Sequence, residues 1–161
     1  MTSIVVKVFV ALIAIAAFFL AIGLSGAAFF LWPTSLTDQE LKITPEVLAE
    51  LQKLKEERKF SEDKNTFYPG APSEAIRASA QASVDAIIHS LVTGLPANPR
   101  RSVVLGTFKR ALAGLEQHDS EERDQVLIYL ERIMSIVGVT SSGELLNVWR
   151  YGFPYGWFQH A

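Results

Sequence analysis

The chain has 161 residues, 49% of them hydrophobic, with 15 basic and 17 acidic groups and no cysteine. The missing cysteines exclude disulfides, thiol catalysis and thiolate metal sites, and the slightly acidic balance argues against nucleic acid, whose main attraction is a basic face. Residues 1–35 hold one basic group, Lys7, and no acid, so the remaining 126 residues keep 14 basic against 17 acidic groups, a net of minus 3. That remainder is the size of one domain with a single core.

Val8 to Trp32 is a run of 25 residues with no charge and one hydroxyl, Ser25. As a helix it measures roughly 37 Å, against about 30 Å of hydrocarbon in a bilayer. Residues 4–32 therefore read as a single transmembrane anchor with the bilayer as partner and Trp32 at the headgroup boundary. The alternative is a cleaved signal peptide with Ser25-Gly26-Ala27 as its small-residue cleavage site. Against it, Phe29 to Trp32 carry the apolar run past that site, whereas a signal core spans about 7–15 residues. The short tail ahead of Lys7 most simply stays in the cytoplasm, which leaves the domain outside, in the periplasm or the extracellular space. Ala14, Ala17, Ala21, Ser25 and Ala28 form a stripe of small side chains, a face on which two anchors can pair as a homodimer; alanine is also simply common in such helices.

Pro33, Thr34 and Ser35 break the anchor, and residues 33–44 read as a linker in which Thr37-Asp38-Gln39-Glu40 fits a capping box opening a short helical turn. Thr44 then caps a helix over about 45–59, with Pro45 in its first position and Val47, Leu48, Leu51 and Leu54 as its apolar stripe. Lys53, Lys55, Arg58 and Lys59 suit the negative end of its dipole as a solvated terminus, with anionic headgroups as the second reading. Residues 60–72 are a polar loop with a Pro-Gly turn, from which Phe67 and Tyr68 fold back on the core. Ser73 caps the next helix, 73–93, where Ile76, Ala80, Val84, Ile87, Ile88 and Leu91 share one face and Arg77, Gln81, Asp85 and His89 another. Asn98 and Pro99 open a third, 99–117, buried through Val104, Phe108, Leu112 and Leu115. Asp119-Ser120-Glu121-Glu122 has capping-box form ahead of a fourth, 120–137, with Val126, Leu127, Leu130, Ile133, Met134 and Val137 in a stripe that Gly138 stops in a left-handed conformation. Ser141 or Ser142 caps a last short helix from Glu144 to about Tyr151, with Leu145, Leu146 and Trp149 facing inward.

The expected fold is thus all-α: a four-helix-type bundle plus a short C-terminal helix over 45–161, preceded by the N-terminal transmembrane helix at 1–32. Its short loops favour antiparallel neighbours.

Groups with chemical potential are few. Asp85 and His89 stand four residues apart and can meet, but no nucleophile motif accompanies them, so a surface pair is the simpler reading. Arg100 and Arg101 fall in the first turn of a helix, where the dipole disfavours cations unless an anion or an acidic side chain is near. With the backbone N–H groups they make a candidate phosphate or carboxylate site. The histidines at 89, 118 and 160 have no paired-ligand spacing, and no phosphate loop or Gly-x-Ser-x-Gly occurs, so no catalytic residue, metal site or cofactor is assigned. The C-terminus places aromatics at 151, 153, 155, 157 and 158 among helix-breaking Gly152, Pro154 and Gly156. Tyr151 and Phe153 are expected to plug the end of the bundle, and Tyr155, Trp157 and Phe158 to bind a partner.

The stretch from Glu122 to Phe153 resembles a group of small bacterial helical proteins, domain-of-unknown-function family 4844. The resemblance is carried by the Ile-Met-x-Ile-x-Gly segment at 133–138, Ser-Ser-x-x-Leu-Leu-Asn at 141–147 and Trp-x-Tyr-Gly at 149–152. It implies a compact helical domain and brings no established activity or site residues. The functional expectation is a single-pass membrane-anchored helical module that binds a protein or peptide. The alternatives are a small-anion binder or enzyme using Arg100 and Arg101, and a toxin-neutralising or inhibitor protein.

Overall fold

The computed structural model describes residues 2–31, 38–64, 67–115 and 119–152. Six helices follow in order: α1 (Thr2–Leu31), α2 (Pro45–Glu56), α3 (Glu74–Gly94), α4 (Arg101–Leu112), α5 (Ser120–Val137) and α6 (Leu145–Tyr151). The described residues contain no strand, only the isolated bridges Glu40 to Arg100 and Asp63 to Tyr68. The fold is all-α, and the chain divides into two compact units, Met1–Trp32 and Pro33–Ala161.

The first unit is α1. Its stretch Val6–Ser25 has a mean hydropathy of 2.8 and is long and apolar enough to cross a membrane, a test that a signal sequence near the N-terminus also passes. Ala14, Ala17, Ala21 and Ser25 are exposed on it; the side chain of Ala28 lies outside the described residues.

In the second unit α3 is the hub, packing on α2, α4 and α5, while α6 closes on α4 and α5. The predicted stripes supply the core. Leu51 and Leu54 of α2, Val84, Ile88 and Leu91 of α3, Val104 and Phe108 of α4, and Val126, Leu130 and Ile133 of α5 are all buried, each stabilising the fold by up to about 1.5–3 kcal/mol before chain entropy is charged against it. Thr44 and Ser73 cap as their positions predict, accepting from the N–H groups of Val47 and Ile76, and Gly138 ends α5 at φ 78°.

Four local expectations are corrected by tertiary contacts. Residues 38–41 form no helical turn. They run as an extended strap antiparallel to 99–101, with Leu41 N–H donating to Pro99 O (2.7 Å) and Arg101 N–H to Gln39 O (2.9 Å). That pairing holds Arg100 extended (φ −125°, ψ 145°), so α4 starts at Arg101, not Pro99. The capping box at 119–122 does not close, because Asp119 makes no side-chain cap bond and Glu122 is buried against Tyr68. Neither serine caps α6; its first-cap position is Glu144, in a left-handed conformation.

Contacts between distant loops and helix termini gather them into two groups, which make the two ends of the bundle. One gathers the strap, the start of α4 and the 138–144 loop, which Arg101 joins by donating to Ser141 O. The other gathers the 57–72 loop, the end of α4 and the start of α5, where Trp149 Nε1 donates to Leu112 O and Arg150 pairs with Asp124.

Candidate functional site

The strap end carries an open cleft of about 660 Å³, lined by the C-terminal half of α5 (Glu131, Met134, Ser135), the 138–142 loop and the start of α6 (Glu144, Leu146, Asn147). Two of the three segments that carry the family resemblance therefore meet here, although 133–138 lies on one helix and 141–147 spans a loop and the next helix. The floor is apolar, through the buried Met134, Val139 and Leu146. Around it stand the hydroxyls of Ser135, Thr140, Ser141 and Ser142, the amide of Asn147 and the carboxylates of Glu131 and Glu144, and among the described residues the lining contains no lysine, arginine or histidine.

The loop is held in an uncommon shape. Gly138 and Gly143 have positive φ, as glycine allows, but so does Glu144 (φ 68°). A left-handed non-glycine residue costs of order 1 kcal/mol or more and persists only where surroundings over-determine it. Here Gly143 N–H donates to Ser141 Oγ (3.1 Å), Leu145 N–H to Ser142 O (3.3 Å) and Asn147 Nδ2 to Glu144 Oε2 (2.9 Å). From behind, the buried Arg101 holds the Ser141 carbonyl with both Nε (3.2 Å) and Nη2 (3.1 Å).

The two arginines predicted as an anion site have separate fates. Asp38, on the strap, supplies the acid that this first turn calls for: its carboxylate accepts from Ser102 N–H (2.8 Å) and Ser102 Oγ (2.9 Å), and Arg100 reaches it at 3.4 Å. Burial pushes the Asp38 carboxyl up, but the bonds from Ser102, Gln39 and Arg100 together hold it below the usual carboxylate value. Arg100 stays half exposed, and Arg101 turns inward to Ser141.

The polar stripe of α3 also has partners that its spacing does not reveal. Lys59 is not a solvated helix end; it is 0% exposed, with Nζ donating to Lys55 O (2.9 Å) and Glu57 O (3.1 Å) and pairing with Asp85 at 2.8 Å. Gln81 accepts from Lys59 N–H and from Arg77, and donates to Asp85 (3.3 Å). Asp85 thus faces Lys59 rather than His89, which is exposed.

At the same end Tyr68 is buried as expected and donates to the buried Glu122 (3.3 Å), while Phe67 is 92% exposed. Tyr151 does not plug the bundle; it is 55% exposed, with Arg150 over its ring. Phe153, Tyr155, Trp157, Phe158, His118 and His160 lie outside the described residues. Among the described residues, no group of three or more His, Asp or Glu side chains gathers as a metal would need.

What sequence reasoning missed is the cleft itself. The available signal was the clustering of Gly138, Ser141, Ser142 and Gly143 between two helices, which marks a shaped loop rather than a plain connection.

A family described as "Domain of unknown function (DUF4844)" matches residues 42–154, a far longer stretch than the quoted segments and well over half of the chain. No curated protein and no solved structure matches significantly.

Proposed function

We propose, for a chain that belongs to the DUF4844 family, that it is a membrane-tethered binding module whose helical domain docks a basic peptide segment of a protein partner in the α5–α6 cleft. The observation that carries this reading is the make-up of the cleft wall: an apolar floor beneath hydroxyl, amide and carboxylate groups, with no cation among its described residues. Such a surface suits an extended segment that buries an aliphatic side chain on Met134, Val139 and Leu146 and presents a lysine or arginine to Glu131 and Glu144. The tether is α1, retained as a span, with the domain outside the cytoplasm, in the periplasm or the extracellular space. Tyr155, Trp157 and Phe158 widen the binding surface in this reading.

The test uses the full-length chain in detergent micelles and three fluorescein-labelled nonapeptides of like apolar content, one basic, one neutral and one acidic, followed by anisotropy. Preferential binding of the basic peptide, weakened at least threefold by Glu131→Lys, supports the reading. Equal binding of all three, or indifference to Glu131→Lys, contradicts it. Deleting residues 155–158 separates the contribution of the aromatic tail from that of the cleft.

A further inference from the structure

We infer that the strap at 38–41 is a latch on the cleft, with Arg101 as the positioning residue that carries its state to the 138–144 loop. Arg101 belongs to both structures at once. Its backbone N–H donates to Gln39 O of the strap at 2.9 Å, and its guanidinium donates twice to Ser141 O in the cleft wall.

The strap is fastened independently of the cleft. Asp38 closes the open N–H end of α4 through Ser102, Leu41 is buried and donates to Pro99 O, and the bridge between Glu40 and Arg100 sets the register. A helix start capped from a distant segment holds its shape only while that segment is docked. When the strap lifts, Arg101 loses its backbone partner and α4 loses its cap, so the first turn that aims the guanidinium frays.

The far side of the relay is built to respond. The loop from Gly138 to Glu144 includes three left-handed residues, one of them non-glycine, and Ser141 both accepts from Arg101 and, through Oγ, holds Gly143. Releasing its carbonyl removes one of the constraints that keep Glu144 in a costly conformation, and the carboxylate and hydroxyls of the cleft wall are held less firmly. Docking or lifting of the strap thereby becomes a change in ligand affinity. As regulation this rests on the cleft being the ligand site; as a mechanical coupling it does not.

Amide hydrogen exchange on the full-length chain in micelles tests the coupling without any ligand. In Asp38→Ala, exchange across 139–146 is expected to rise at least tenfold while α3 amides at 84–91 keep wild-type protection; Asp38→Asn, which keeps an acceptor for Ser102, restores most of the loop protection. Loop exchange that stays at the wild-type rate, or that rises together with α3, overturns the latch. The basic-peptide titration then judges the regulatory part. A severalfold loss of affinity in Asp38→Ala supports it, and unchanged affinity overturns it. Wild-type protein that binds none of the peptides overturns the cleft reading and with it this regulatory part, leaving the exchange result to judge the coupling.

Discussion

The two ends of the helical bundle use similar materials to opposite effect. Each hides a cation among carbonyl groups, each has a side chain–backbone contact far apart in sequence, and each contains non-glycine residues at positive φ. At the 57–72 end the materials close on themselves. Lys59 satisfies two carbonyls and a carboxylate, Tyr68 satisfies Glu122, and Phe60, left-handed at φ 58°, is buried with its ring 5.2 Å from that of Tyr129. At the strap end the Arg101 guanidinium donates twice to the Ser141 carbonyl of a loop whose strained residue, Glu144, lines an open cleft. Burial offsets the strain at Phe60, though not at the exposed Phe67. At Glu144 the strain is kept without burial beside an open cleft, which is the pattern of a site shaped for something else.

Removing Lys59 should have the largest effect on stability. Lys59→Met leaves the part-buried Asp85, 22% exposed, without its cation and frees two helix-end carbonyls, and breaking one partner of a fully buried pair costs about 3–5 kcal/mol, an upper value here; thermal unfolding followed by circular dichroism reads it as a fall in Tm. A loss under about 1 kcal/mol would mean that this end is not closed by its cation, since an exposed pair contributes no more than that.

Tyr68→Phe is next. It strands the buried Glu122 carboxylate without its donor, at a cost of about 1–3 kcal/mol. It also changes the alkaline limb of the stability profile. Burial and the neighbouring Glu122 hold the Tyr68 hydroxyl well above its ordinary value, so the unfolded chain ionises first. This contribution is complete below the unfolded value of about 10 and is lost as pH rises beyond it. The variant should therefore show a shallower loss of stability above that pH.

Asp38→Ala should cost about 1 kcal/mol, the worth of a helix cap. Here the sign is reversed: the Asp38 carboxyl lies below its ordinary value, so its contribution is present above the unfolded value of about 4 and is lost as pH falls through the lowered folded value. The wild-type and variant acid-unfolding curves should converge at low pH. Smallest of all, Phe67→Gly should be neutral or stabilise by under about 1 kcal/mol, because the ring is 92% exposed and the backbone at φ 57° already suits glycine. A large loss there would show that the ring is not idle at this end.

The helices were legible because their stripes obey a period of 3.6 and their caps are local: Thr44 with Pro45, Ser73, Gly138. What escaped is whatever the chain brings together from afar. A capping box at Thr37 and a start at Asn98 are sound local chemistry, yet the strap and the 98–100 segment pair with each other and spend those groups on α4. Arg77, Gln81 and Asp85 repeat at fourth positions as a solvated face would, and nothing in that spacing distinguishes solvent from the buried Lys59. The cleft was not visible, and the junction of the strap with α4 behind it was half visible. The unfavourable placement of Arg100 and Arg101 at a helix start correctly calls for an acid, while its identity as Asp38, and the turn of Arg101 to Ser141, depend on tertiary structure alone.

One measurement separates the two ends directly. The chain contains two methionines, and Met134 lies in the cleft while Met1 is the first residue. In full-length protein labelled with carbon-13 at the methionine methyl groups, titration with the basic peptide should shift the Met134 resonance and leave Met1 in place, with the shift abolished by Glu131→Lys and unaffected by Phe67→Ala. A bound peptide that leaves Met134 unmoved, or that responds to Phe67 and not to Glu131, would place the binding surface at the other end and contradict the account.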